Sequence, residues 1–163
     1  MNDSVLAKSG LNQELVAAYN SLVTTVTPVA VRLISVHMGA TAFSAGTTEA
    51  ALSGLPARWE QRDGGFTAIQ PFKVEGTSGE GARFSLELEL AVDYDSPLAM
   101  TNELFVVFGQ NNLPLNAHPF LRETIASLTM RSGWPPLIVP AFIKQGKKPA
   151  AVQQLNPSDE QSE

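Results

Sequence analysis

From Arg83 to Tyr94 the chain alternates strictly. Phe84, Leu86, Leu88, Leu90, Val92 and Tyr94 take every second position, and Arg83, Ser85, Glu87, Glu89 and Asp93 fall between them. Side chains of an extended chain point to opposite faces in turn, so this pattern predicts a half-buried β-strand. A period of 3.6 would scatter the same apolar residues around a helix. At about 3.3 Å per residue the strand runs roughly 40 Å, which calls for long partners and a layer over its apolar face.

Around that strand the remaining pattern predicts an α+β protein. Leu11, Leu15, Ala18 and Leu22 recur at helical spacing, and the β-branched run before Pro28 ends that helix. Val29 to Met38 reads as a first strand, rich in Val, Leu and Ile but alternating only weakly. Ser44 to Pro56, with its small residues and glycines, reads as a connection. After the turn signal Asp63-Gly64-Gly65, Phe66 to Val74 reads as a second strand, with Pro71 marking an edge or a bulge. Leu104 to Phe108 is apolar throughout and reads as a fourth, central strand. Leu113 to Asn116 reads as a loop. Pro119 opens a helix through Met130 with Leu121, Ile125 and Leu128 on one stripe, and Gly133 stops it. Trp134-Pro135-Pro136 then forces an extended path through Phe142.

The 163 residues suit one folded domain, residues 29–143, with a helical extension at 1–28 and a flexible polar tail at 144–163. There is no Cys, and the first residues carry no signal-peptide pattern, so the expected location is cytoplasmic. A net charge of −5 argues against nucleic-acid binding, with Lys144, Lys147 and Lys148 read as a solvated tail. No membrane insertion is expected. Candidate chemistry is sparse. His37 fits a strand face and His118 a helix start, neither with a second metal ligand at a suitable spacing, and Glu87 with Glu89 is the wet side of the long strand. No catalytic residue, metal or cofactor is expected, and the chain is not read as an enzyme. The apolar residues outside the confident core, Trp59, Trp134, Leu137 to Val139 and Phe142, suggest a groove for extended polypeptide.

The run from Pro119 to Pro140, Pro-Phe-Leu-Arg-Glu through Met130-Arg131-Ser132-Gly133-Trp134-Pro135-Pro136-Leu137, resembles the long helix and following loop of the SecB export-chaperone family. That family carries a Pro-aromatic-x-Arg-Glu opening, a helix ending in Arg and Gly, then an aromatic-Pro-x-Leu segment closing on Pro. Val31 to Ala45, Trp59, Phe84 to Tyr94 and Glu103 to Phe108 follow in the family's order as its strands, so the resemblance spans Val29 to Phe142.

The resemblance implies a four-stranded antiparallel sheet packed by a long helix, assembling as a dimer or a dimer of dimers. It implies an ATP-independent holdase that binds unfolded segments in apolar grooves, for export or for protection of a client such as an antitoxin. With it, Trp59, Phe66, Phe72, Trp134, Leu137, Ile138 and Phe142 are the expected peptide-binding residues, and Leu121, Ile125 and Leu128 the expected oligomer interface. The family's first-strand acids fall here on Ala40 and Ser44, so Glu103 alone suggests contact with an export motor ATPase. The alternative is a non-catalytic oligomeric scaffold of the same fold.

Overall fold

The computed structural model describes residues 13–139 and, in the tail, 150, 151, 153 and 154. Helix α1 (Gln13–Thr25) leads almost directly into strand β1 (Thr27–Ala40), followed by β2 (Thr48–Gly54), β3 (Arg58–Arg62), β4 (Gly65–Ser78) and β5 (Arg83–Asp95). Helices α2 (Asn102–Asn111) and α3 (Leu113–Arg131) come next, then the two-residue strands β6 (Leu137–Ile138), β7 (Ala150–Ala151) and β8 (Gln153–Gln154).

The antiparallel sheet runs β1-β5-β4-β2-β7, with β3 also paired to β4. Because β5 pairs with β4 from Gly65 to Thr77, β2 and β3 share the opposite edge of β4. Between Gly54 opposite Phe72 and Arg58 opposite Ile69, three residues, Leu55, Pro56 and Ala57, oppose two, Gln70 and Pro71. Proline has no amide to donate, so the edge breaks opposite it. The Leu55 N–H donates to the Pro71 carbonyl at 3.0 Å, and the buried Gln70 side-chain amide donates back to the Leu55 carbonyl. This bulge is where the sequence places it.

The inward face of β5 alternates as expected, with Phe84, Leu86, Leu88, Leu90, Val92 and Tyr94 all buried. Opposite them on β4 stand Phe66, Ala68, Phe72 and Val74. Phe66, Tyr94 and Phe108 form an aromatic triangle with centroids 5.0 to 5.4 Å apart. Helix α1 adds Tyr19 and Leu22 to this core, and the Tyr19 hydroxyl donates to Asn112 Oδ1 between the other two helices. The N-terminal extension is thus built into the fold.

Two elements differ from expectation. Leu104 to Phe108 is not a fourth strand but the body of α2, where Leu104, Phe105, Val107 and Phe108 face inward and Val106 is exposed. Thr101, extended, caps the helix by accepting from the Leu104 N–H at 3.3 Å. A five-residue apolar run fits either a strand or a buried helix face, and the cap decides it. The fourth place in the sheet goes instead to β2 and β3, part of which lies in the stretch read as a connection. Its Ala, Ser and Gly residues give little alternation, and only Leu52 is fully buried.

Helix α3 also begins earlier than expected. Leu113 to Asn116 is its first turn rather than a loop, Pro114 occupies that turn and Pro119 lies inside the helix. The carbonyl four residues before Pro119, that of Leu115, loses its helical donor, at a residue that is exposed at the surface. Leu113, Ala117, Leu121, Ile125 and Thr129, four apart, form the buried stripe. The helix ends as the sequence predicts. Gly133 has φ of +78°, its N–H donates to the Met130 carbonyl at 3.1 Å, and the Trp134 N–H reaches the Thr129 carbonyl at 3.0 Å. This paired closure uses a left-handed residue that glycine adopts without a Cβ penalty.

Candidate functional site

The segment after α3 is fastened at both ends. The Thr129 hydroxyl donates within its own helix to the Ile125 carbonyl at 2.9 Å and accepts from the Leu137 N–H at 3.1 Å. The Trp134 indole N–H donates to the Thr41 carbonyl at 2.9 Å, while its ring lies against Phe43 and Phe84. With Pro135 and Pro136 preventing any helical continuation, the chain passes in extended form along α3. Between them lies an open trough of about 380 Å³, walled by Pro119, Arg122 and Ala126 and floored by Leu137, Ile138 and Val139. Leu137 and Val139 are buried beneath it, and Ile138 is half-buried.

Two further grooves flank the helices. One, of about 320 Å³, lies between the start of β1 and α3 at Val29, Val31, Asn116 and Phe120. The other, of about 200 Å³, lies between the β2–β3 bulge and α2 at Pro56, Ala57, Phe105 and Val106. Strand β1 is an open sheet edge, and its apolar residues are the most exposed in the sheet: Val29 55%, Leu33 46%, Ile34 40% and Met38 43%. Phe120 on α3 is 48% exposed beside it. Leu33 and Met38 stand opposite Leu90 and Leu86 on the inward face, while Val29 and Ile34 fall at the two register shifts with β5, and these shifts are what weaken the alternation of Val29 to Met38.

The residues expected to bind peptide do not form one patch. Phe66 and Phe72 are buried in the sheet core, Trp134 against Phe43 and Phe84, and Leu137 beneath the trough, so in this arrangement these four side chains offer almost no contact surface. Phe66 is one corner of the aromatic triangle, and all four belong to the one buried core cluster. Trp59 is half-buried near Phe105, with its indole N–H donating to Asn102 Oδ1 at 3.1 Å. It pairs with Ala68 and through it with Val92, whereas Trp134 packs on Phe84. Val92 and Phe84 are eight positions apart on β5, about 26 Å at 3.3 Å per residue, so the two indoles mark opposite ends of the sheet. Of the expected set, Ile138 lies in the trough and is accessible; Phe142 lies outside the described residues.

Leu121 and Ile125, expected at an oligomer interface, are fully buried against the subunit's own core, and Leu128 packs partly against it. Glu103 is in the first turn of α2 rather than on a strand.

The outer face of the sheet is a lattice of ion pairs. Arg32 bonds both carboxylate oxygens of Asp93 at 3.0 Å, Arg58 reaches Glu89 at 2.6 Å, and Arg62 pairs with Asp95. Hydrogen bonding from Arg58 holds the Glu89 carboxyl below its ordinary value, and Arg32 does the same for Asp93. Arg58 and Arg32 flank Ile69 and Ala91 in one cross-strand row, and both apolar residues are buried although they face outward. His37 stands opposite Glu87 on this open face, with both exposed. Among the described residues no group of three or more His, Cys, Asp or Glu is placed to hold a metal ion, and no helix is long and apolar enough to cross a membrane.

The fold, an antiparallel sheet with the long helix on its apolar face, is similar to that of a solved structure, the Mycobacterium tuberculosis Rv1957 SecB-like chaperone in complex with a ChAD peptide from the Rv1956 HigA1 antitoxin. The two share a TM-score of 0.68 and 15% identity, over 81% of this chain and all of that one. No family model matches the sequence, and no curated protein sequence matches it significantly.

Proposed function

We propose that the protein is an ATP-independent holdase that binds unfolded or extended segments of polypeptide, for export or for protection of a dedicated client such as an antitoxin. The observation that carries this reading is the trough along α3, whose floor is the extended strand β6 and whose accessible surface is apolar at Ile138. An extended client presents side chains to alternate sides and its own backbone donors and acceptors, so an apolar trough lined by extended chain holds it without a sequence motif. The antitoxin peptide bound by the structural counterpart supports the same client class. Affinity comes from scattered apolar side chains, at about 25 cal/mol per Å² before ordering costs, and multiplies when several subunits hold one client.

The same proposal includes self-association. The exposed apolar edge of β1, with Phe120 beside it, is the surface a second copy would cover, since an unpaired edge of this length is otherwise a site for uncontrolled pairing. No catalytic role is proposed.

The test is suppression of aggregation of a chemically denatured client without nucleotide, with light scattering to read the subunit number. Ile138→Ser is expected to weaken client binding about fivefold by removing roughly half of an Ile side chain's burial, while leaving the melting temperature nearly unchanged. Failure of the parent chain to hold any of several unfolded clients would sink the reading, leaving the scaffold alternative.

A further inference from the structure

Strand β6, the floor of the trough, already has a partner. Leu137 pairs with Gln154 and Ile138 with Gln153, antiparallel, and just before them in the tail Ala150 and Ala151 pair with Leu52 and Ala51 on the open edge of β2. One short piece of extended chain therefore joins the free side of the main sheet to the strand beside the trough. These pairings are made by backbone, through two residues in each strand, the same sequence-tolerant recognition an extended client would use.

We infer that the tail residues Ala150, Ala151, Gln153 and Gln154 are a resident competitor of the client, occupying the β2–β6 ledge until an extended polypeptide displaces them. The inference rests on the holdase reading above. Two-residue strands are too short to be stable on their own. Residues 139–149 alone separate this segment from β6, so it meets the ledge at the high effective concentration of a short tether, of order mM. A weak segment is held there by proximity, yet exchanges with a client that offers a longer run. The apparent client affinity is then the intrinsic affinity reduced by the fraction of time the ledge is free. A client with only a few apolar residues is excluded, and a long unfolded segment is admitted.

The test compares three chains: the full protein, a form ending at Pro149, and the full-length double variant Ala151→Pro with Gln153→Pro. Proline removes a ladder donor and obstructs pairing without shortening the chain. The probe is fluorescein-labelled, carboxymethylated α-lactalbumin, which stays unfolded, followed by anisotropy at fixed salt. If the ledge is occupied about nine-tenths of the time, both altered chains bind the probe about tenfold more tightly than the full protein. A synthetic peptide of residues 148–156 is expected to displace the probe from the shortened chain. Circular dichroism confirms folding, and if the shortened chain misfolds, the proline variant carries the comparison. Equal probe affinity in the folded chains, or weaker binding by the altered ones, overturns the inference while leaving the holdase reading standing. Absence of probe binding by every chain overturns the holdase reading and the inference with it.

Discussion

Replacing Trp134 by Ala separates a residue of the binding surface from one that builds it. Trp134 is 2% exposed, with its ring 5.2 Å from Phe43 and 5.6 Å from Phe84. Truncation removes the largest side chain at the α3–sheet junction and leaves a cavity that the backbone, fixed by the Gly133 closure and the Thr129 clamp, cannot fill. The expected cost is about 3–5 kcal/mol, the range for deleting a buried aromatic ring. The lost bond to the Thr41 carbonyl adds little, because Thr41 is exposed and water replaces the indole donor. Against a total stability of about 5–15 kcal/mol this is a large fraction. With a urea slope of roughly 2 kcal/mol/M the unfolding midpoint falls by about 1.5–2.5 M. Far-UV circular dichroism at one fixed protein concentration reads it. Trp134→Phe keeps most of the volume and is expected to lose less than half as much. A midpoint shift under about 0.5 M by the alanine variant, together with loss of client binding, would refute the packing argument and place the indole in the site itself.

Gly65→Ala is expected to cost about 2 kcal/mol or more, since a Cβ there would overlap the Tyr94 carbonyl, and so to lower the melting temperature by about 5 °C or more. Gly39→Ala, where a Cβ meets nothing within 4 Å, serves as the near-neutral control. On the acid side, the folded carboxyls of Glu89 and Asp93 sit below their unfolded values of 4.5 and 3.8. Their stabilisation is whole above those values and is lost as pH falls through the folded ones. Glu89→Gln should therefore flatten the acid limb of a pH series of melting temperatures, with a small effect because the pairs lie at the surface, with Arg58 and Arg32 about half exposed, and are screened by salt. On the alkaline side, burial pushes the Tyr94 phenol up to about 12 against an ordinary 10.0. Stability is intact below pH 10.0 and declines toward 12, by on the order of 3 kcal/mol in full. Absorbance at 295 nm should show the Tyr94 phenolate appearing only near that upper value; titration near 10 in the folded protein would contradict the burial.

The legible parts of this chain are those where one physical requirement dominates. The alternation of β5 could only be a strand, and Gly133 after a helical stripe could only be a stop, because the geometry allows few other residues there. Pro71 announced a break in the neighbouring edge without saying which segment would supply it. That segment, β2, is built from Ala, Ser and Gly around a single Leu52, so it carries almost no periodic signal and is held in place by the partner strand. The run Leu104 to Phe108 failed for the opposite reason. It is so uniformly apolar that helix and strand fit equally, and the deciding information sat outside it, in the cap at Thr101. Exposure was less legible at the residues expected to bind peptide, because residue type does not distinguish an aromatic that faces a groove from one packed in the core. Phe66, Phe72, Trp134 and Leu137 are buried, whereas Ile138, between the buried Leu137 and Val139, is half-buried and reaches the trough through the period of the strand.

The strand order bears on how assembly and client binding coexist. Strand β1 and strand β2 lie at opposite margins, separated by β5 and β4, about 14 Å apart at 4.8 Å per strand. The exposed apolar residues of the sheet, Val29, Leu33, Ile34 and Met38, belong to the β1 margin. The tail pairing and the trough floor belong to β2 and β6. A second copy of the kind proposed above, covering β1, would therefore leave the β2–β6 ledge free of the interface. Removing apolar exposure from β1 by Leu33→Asp should lower the subunit number in light scattering while leaving the affinity of each subunit for a short extended peptide unchanged. For a long unfolded client the same variant should bind more weakly, because a single chain can no longer span several ledges at once. Equal loss for short and long clients would mean that β1 contacts the client directly, and that the two margins do not divide the work in this way.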